Sequence, residues 1–385
     1  MPIKICHIIT KLELGGAQQN TLYTLRHLSR ELYMPFLIAG TGGLLDHEAA
    51  SDTSFTTYFI PELVRSVLPW GDCIAAVKIW KILRDQKPAV VHTHSSKAGI
   101  LGRWAAWCAG VPVIIHTVHG FGFTDQQRPP VRLLFIFAEW LTVLITDTLI
   151  VVATEDKKKG LANGIGCEDK YMVIRSGIDI QSIKTALVDR EAVRREFAIS
   201  PTAAVISSIG PFKPQKNLAD FVRVAAAISA RRSDCIFLLV GDGEQRPMLE
   251  KMCSDAGITG QVRFLGWRTD TVRILSVTDV FVMTSLWEGL PRSIVEAMCR
   301  GIPVVANAVD GVKEIVKNDQ TGYLIKPFAI EEMASKIMHL LDEKTLSHSL
   351  GDRGRESITS EFDINIMVRE QEKLYDALVH NRNTR

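Results

Sequence analysis

Apolar positions along the chain fall into short runs that alternate with stretches of helical period, the pattern of a parallel sheet covered on both faces. In the first half, runs at 3–9, 34–39, 55–60, 89–93, 112–116 and 147–152 read as strands, with amphipathic helices such as 17–28 and 71–85 between them. Near Arg175-Ser176-Gly177-Ile178-Asp179 the alternation gives way to a polar connector, followed by a helical run over 190–197. It then restarts, with strands predicted at 204–209, 236–240, 262–265, 280–283 and 304–306. Two such series predict an α/β protein with two Rossmann-like, doubly wound parallel-sheet domains, over 1–185 and 186–360. The segment 361–385, helical over 361–378, is expected to pack back toward the first domain. Doubly wound sheets bind ligands beyond the carboxyl ends of their strands, so the chemistry is sought in the loops there.

Composition narrows the classes. A chain of 385 residues, 46% hydrophobic, has ample apolar material for two cores. Its net charge of +2 is too mild to indicate nucleic acid as a partner. The seven cysteines form no CxxC pair and read as reduced core thiols of a cytoplasmic protein. His92 and His94 stand close together, but no second ligand pair follows at zinc-site spacing. The N-terminus opens on a strand rather than on a signal peptide. The apolar stretch 131–153 is interrupted by Glu139, Thr142, Thr146 and Asp147. It therefore reads as a buried helix and a strand rather than a membrane span, with shallow bilayer contact left open.

The most informative segment is Thr284-Ser285-Leu286-Trp287-Glu288-Gly289-Leu290-Pro291-Arg292-Ser293-Ile294-Val295-Glu296. A strand ends at Thr284, a tight loop follows, and Pro291 opens a helix whose first amides and positive dipole end suit a phosphate. Gly289, Leu290 and Arg292 lie at that entry. Glu288 sits in the loop and Glu296 one to two turns into the helix, so they are not a paired acid and base. They suit two ends of one elongated ligand, since a carboxylate accepts two adjacent hydroxyls of a sugar or ribose. The plain alternative is a capping carboxylate and a surface ion-pair partner. The strand-loop-helix context favours the ligand reading.

This stretch resembles the E-x7-E motif of the retaining glycosyltransferases of family 4, which have the GT-B fold, two Rossmann-like domains facing a central cleft. The likeness continues through Gly301-Ile302-Pro303-Val304-Val305-Ala306 and Gly311-Val312-Lys313-Glu314-Ile315-Val316. By that resemblance Glu288 contacts the donor sugar and Glu296 holds the ribose. Gly15-Gly16 matches the N-terminal glycine loop, His119 the histidine near the reacting sugar carbon, and Lys216 the lysine that neutralises the donor diphosphate. Gly241, Gly243 and Trp267 fall at positions around the nucleotide, with Trp267 read either as a neighbour of the base or as core. His92 and His94 are open to an acceptor-side reading. The pattern departs at Pro211, where the family commonly has arginine, and Lys213 or Arg292 is the candidate to replace that charge.

The resemblance implies transfer from a nucleotide-sugar donor, uridine-linked by expectation, to a glycan or lipid-linked acceptor with retention, in cell-surface polysaccharide synthesis. No protein nucleophile is needed: the diphosphate takes the acceptor proton as it leaves, and the protein orients and stabilises. No cofactor is expected, and no metal, since no DxD-type motif is present. The expected location is the cytoplasm, with peripheral contact at the inner membrane face as an option. Trp104, Trp107, Phe121, Phe123, Arg128, Arg132, Phe135, Phe137 and Trp140 cluster in the first half and read as an acceptor groove, a bilayer contact or plain core. The rivals are a GT-B sugar-nucleotide epimerase, an NAD-dependent dehydrogenase, disfavoured because Gly15-Gly16 lacks the fingerprint spacing, and a non-catalytic subunit of a glycan-assembly complex.

Overall fold

A computed structural model of the protein describes residues 2–383. The chain divides into two compact units, one of residues 1–177 with 364–385 and one of residues 178–363. Boundaries expected at 185/186 and 360/361 thus fall after Gly177 and after Asp363.

The strands of the first unit are β1 (Ile3–Ile9), β2 (Tyr33–Ala39), β3 (Thr56–Phe59), β4 (Val90–His94), β5 (Val113–Val118), β6 (Thr148–Val151) and β7 (Tyr171–Val173). All pair in parallel, in the order β3-β2-β1-β4-β5-β6-β7. The second unit has β8 (Ala204–Ile209), β9 (Cys235–Val240), β10 (Val262–Phe264), β11 (Val280–Met283), β12 (Val304–Asn307) and β13 (Gly322–Ile325). Their order is β10-β9-β8-β11-β12-β13. Counted within each unit, the sheets run 3-2-1-4-5-6-7 and 3-2-1-4-5-6, the doubly wound arrangement whose order reverses beside the first strand. Sequence periodicity did not find β7 and β13. Each is an edge strand of three or four residues.

Side chains alternate across a strand, so β1 feeds both faces of its sheet. Cys6 and Ile8 pack with Ile79, Leu83 and Ala105, whereas Ile5 packs with Val90, Val113 and Ile115 beneath the C-terminal helix Ile364–Asn383. That helix buries Ile364, Met367, Val368 and Tyr375, at about 1.5–3 kcal/mol for each fully buried apolar side chain. Tyr33 secures it by donating to Asp376 Oδ1 at 2.5 Å. The C-terminal helix is therefore part of the first core. In the second unit Ala204 and Ile206 feed one cluster and Val205 the other.

Two expectations are corrected. The helix Pro129–Thr142 is not buried along its apolar side. Leu133, Leu134 and Phe137 are more than half exposed, while Glu139 and Thr142 are its buried residues. The inversion has a local cause: Glu139 meets the fully buried Arg103 at 2.7 Å, and Thr142 accepts from Trp104 Nε1 at 3.1 Å. The cysteines, second, are not all core thiols, because Cys73, Cys108 and Cys167 are exposed. Among the described residues, no helix is long and apolar enough to cross a membrane.

Candidate functional site

In the second unit the loops after β8 and β11 bring the predicted charges together. After β8 a tight turn, Pro214–Lys216, ends at Asn217, which adopts a left-handed conformation (φ 46°) that asparagine tolerates better than most residues. The turn delivers Lys216 Nζ to Glu288 Oε1 at 2.5 Å, with side-chain exposures of 15% and 8%. Such a pair is shielded enough for its charges to matter. Gly210 lies under the lysine; a Cβ there would stand 3.2 Å from Lys216 Cε.

Four residues that the motif reading passed over hold this geometry. Gln215 accepts from the Leu286 amide through its backbone carbonyl and donates from Nε2 to the Trp287 carbonyl, both at 2.9 Å. Thr284 Oγ1 donates to the Lys216 carbonyl at 2.9 Å. Asn307 Nδ2 donates to the carbonyls of Thr284 and Ser285. Asp310, itself at φ 28°, accepts from the Glu288 amide at 3.0 Å. The Asp310-Gly311 turn was the available sequence signal for the last of these; the others are legible only from the fold.

Glu296 has partners other than those of Glu288. It lies in the helix Arg292–Cys299, accepts from Thr271 Oγ1 at 3.3 Å and stands 3.8 Å from Arg292. Burial raises its carboxyl pKa, opposed by Arg292, and burial likewise lowers that of the Arg292 guanidinium. Arg292 is thus turned to its own helix's carboxylate. Gly289 and Leu290 are buried in the loop before this helix. Lys213 is half-buried and extended, immediately before the lysine turn.

The glycines of the second unit meet a constraint within the protein itself. Gly241 (φ 129°) and Gly243 (φ 155°) adopt conformations that L side chains rarely take. A Cβ on Gly241 would lie 2.0 Å from the Gly210 carbonyl oxygen, and one on Gly243 would lie 2.7 Å from that of Phe212. Their close approach is to the neighbouring loop of the protein. Trp267 is half-buried, and Arg268 is held by Asp270 and Glu196 and lies over Phe197. In the first unit Gly15 is extended (φ −141°) and caps the helix Gly16–His27, so no left-handed turn demands it.

His119 follows β5 and lines a small cavity with Asn20, His94, Thr117, Arg175 and Ser176. Its Nε2 lies 3.3 Å from His94 Nδ1. Burial depresses its pKa to about 4 and that of His7 to about 3, so both are neutral near pH 7. His92 and His94, expected on an acceptor side, are 0% and 3% exposed and belong to a buried network that also includes His7. Ser95, beside them, is held at φ 62°, ψ 150° and bonds Thr10 through Oγ at 2.7 Å. Phe121 and Phe123 are core, whereas Trp107, Phe137 and Trp140 are exposed, so the aromatic cluster divides.

Residues 14–182 match the family model Glycosyltransferase Family 4, and residues 189–357 match Glycosyl transferases group 1. The chain is 33% identical over 383 residues to the UDP-Gal:alpha-D-GlcNAc-diphosphoundecaprenol alpha-1,3-galactosyltransferase of Escherichia coli, covering 99% of this chain and 98% of that one. This chain belongs to glycosyltransferase family 4. It is also 22% identical over 384 residues to the capsular polysaccharide biosynthesis glycosyltransferase CapM of Staphylococcus aureus, covering 98% and 97% of the two chains. The fold matches that of Anabaena Alr3699/HepE in complex with UDP and glucose with a TM-score of 0.83, at 19% identity over 97% of this chain and 100% of that one. The family 4 transferase is therefore a GT-B protein of bacterial glycan synthesis. Its Lys216–Glu288 pair and its Glu296 fall inside the second matched segment, and His119 inside the first.

Proposed function

We propose that the transferase moves a sugar from a uridine diphosphate sugar, with retention of configuration, to a lipid-linked glycan acceptor. The observation that carries the reading is the shielded Lys216–Glu288 pair beside a separately partnered Glu296. A nucleotide diphosphate needs a cation where negative charge grows as it leaves, and Lys216 supplies one. Glu288 and Glu296 then accept hydroxyls of the sugar and of the ribose, and within the first unit His119 meets a ligand hydroxyl. The donor C1–O bond breaks and the acceptor O–C1 bond forms on the same face. The acceptor hydroxyl proton passes to the departing diphosphate oxygen, so charge and atoms balance without a protein nucleophile. Lys216 and the N-terminus of the helix Arg292–Cys299 provide the positive potential, and the reaction runs without a metal ion. Lys213 takes the charge role of the arginine replaced by Pro211. The E. coli relative supports uridine and a diphosphate-lipid acceptor by its name.

The inverted helix Pro129–Thr142 supports peripheral work at the cytoplasmic membrane face. Val131, Leu133, Leu134, Phe137, Trp140 and Leu141 are its exposed apolar residues, and exposed Arg128 adjoins them. Aromatic side chains with an adjoining cation suit an anionic lipid surface. The deciding experiment incubates the purified protein with UDP-sugars and a polyprenyl-diphosphate-linked GlcNAc acceptor in chelator. An α-linked disaccharide product by NMR is expected; a β-linked product, or activity only with added metal, would overturn the reading.

A further inference from the structure

Register places an unusual set of side chains on one face of the first sheet. β1 pairs His7 with His92, and β4 pairs His94 with Thr117 on β5. Since alternate residues share a face, His7, His92, His94 and Thr117 all lie on the side covered by the C-terminal helix. There they form a continuous chain. His119 Nε2 is 3.3 Å from His94 Nδ1, His94 Nε2 is 2.9 Å from His7 Nδ1, and His7 Nε2 is 3.4 Å from the Tyr375 hydroxyl. The same hydroxyl lies 2.6 Å from His92 Nδ1, and His92 Nε2 lies 2.6 Å from Thr117 Oγ1. Tyr375 is fully buried.

A neutral imidazole has one N–H and one lone pair, so a chain of neutral histidines can run in only one direction at a time. Tyr375 has one proton and three neighbours: His92 Nδ1 at 2.6 Å, and His7 Nε2 and Gln371 Oε1 both at 3.4 Å. The short contact takes the proton, because a phenol donates readily to imidazole nitrogen and the other two contacts are long. His92 then holds its proton on Nε2 and donates to Thr117. His7 holds its proton on Nε2 and donates to the phenol oxygen, leaving Nδ1 to accept from His94 Nε2–H. His94 Nδ1 in turn accepts from His119 Nε2–H. We propose that Tyr375, through His7 and His94, fixes His119 as its Nε2–H tautomer, with the Nδ1 lone pair left to accept a hydrogen bond from a ligand hydroxyl. Among the described residues His119 Nδ1 has no hydrogen-bond partner, and His119 lines a cavity. His7, His94 and Tyr375 are positioning residues, since they act through His119.

The C-terminal helix, held in the first unit by its buried apolar side chains, also brings the phenol that sets the direction. It also gives a chemical class for what His119 meets, a hydroxyl that donates, rather than a phosphate oxygen or a carbonyl. That consequence for ligand choice rests on the role proposed above for His119; the tautomer does not. His7, His92 and His94 could in principle surround a cation, with one nitrogen from each all within 4.8 Å. The hydrogen bonds already engage both ring nitrogens of each of the three.

The test is a long-range ¹H–¹⁵N spectrum of the full-length protein labelled on histidine nitrogen, at pH 7, with His119 signals assigned by His119→Gln. A single Nε2–H tautomer is expected for His119 in the wild type. Tyr375→Phe removes the terminal acceptor and should give a tautomer mixture. Thr117→Val, nearly isosteric, strips His92 Nε2–H of its acceptor and should drive the chain toward the reverse direction, raising the Nδ1–H form of His119. In the transfer assay Tyr375→Phe should lower kcat about 10-fold, on the scale of groups that orient a functional histidine, with UDP affinity unchanged. An Nδ1–H tautomer or an imidazolium in the wild type would overturn the proposal. So would a His119 signal unmoved in both folded variants, or a stoichiometric metal found by elemental analysis. Failure of UDP to bind would instead strike at the proposed function and leave the tautomer result standing.

Discussion

The two sheets share one winding order and differ in what stands at the carboxyl ends of their strands. The second unit places charge there: Lys216 against Glu288, and Arg292 near Glu296. The first has neutral imidazoles: His94 at the end of β4 and His119 beyond β5, backed by His7 and His92 within β1 and β4, joined by hydrogen bonds and closed by Tyr375. A shared topology thus supplies position while side-chain chemistry decides what is bound. On the proposed function, the shielded charge of the second unit serves an anionic diphosphate, and in the first unit only His119, with the other imidazoles behind it, meets a hydroxyl. The difference also separates the ways each unit should fail.

The largest expected effect is in the second unit. Lys216→Ala leaves Glu288 shielded without its cation and, on the proposed mechanism, takes away the positive charge facing the leaving group. Turnover should fall about 10²–10³-fold, the scale for losing one preorganised electrostatic group. Steady-state kinetics and circular dichroism together separate that loss from unfolding. An equal fall in affinity for the free nucleoside would make the lysine structural.

Acid should break the first unit before the second. In the folded protein His7 and His119 titrate at about 3 and about 4, below the usual 6.5, so unfolding takes up protons. Their stabilising contribution is whole above about pH 6.5 and is lost as pH falls toward those values, at about 1.4 kcal/mol per pH unit for each group. His92, His94 and His116 are depressed by burial in the same direction. Glu296 in the second unit has the opposite sign, since its raised pKa favours the folded protonated form as pH falls. Hydrogen exchange between pH 7 and 5 should therefore show protection lost first in peptides of residues 3–9 and 90–94. Simultaneous loss in 204–209 would contradict the contrast.

The smallest effect concerns a residue that only holds another. Asp310→Ala removes the acceptor for the Glu288 amide and should slow turnover about 5-fold, the worth of roughly 1 kcal/mol for one hydrogen bond. Unchanged turnover would show that Gln215, Thr284 and Asn307 hold the loop without it.

What could be read in the sequence follows physical range. The alternation of apolar runs revealed both windings, because central parallel strands are buried on both faces and read as continuous apolar stretches. β7 and β13 were not read, although the equally short edge strands β3 and β10 were. The strand-loop-helix around Glu288 and Glu296 was legible from local spacing. The meeting of Lys216 with Glu288 was not, since it depends on a turn that Gln215 ties to the Trp287 loop. His7 was invisible as a partner of His94, although both sat in predicted strands or at their ends, because register between β1 and β4 is a long-range property. The helix Pro129–Thr142 misled in a specific way: apolar side chains predicted burial, and the buried Arg103–Glu139 pair turned them outward.

The central claim is that the second unit holds the nucleotide through Glu296 and the diphosphate through Lys216. Calorimetric titration with UDP, GDP and ADP in chelator, against the wild type, Glu296→Ala and Lys216→Ala, tests it most directly. The account predicts selective binding of UDP without metal, weakened about 10-fold or more in Glu296→Ala as charged hydrogen bonds to the ribose are lost. Lys216→Ala should weaken UDP and leave uridine unaffected. UDP binding that is equal in all three proteins, or absent from the folded wild type, would contradict it.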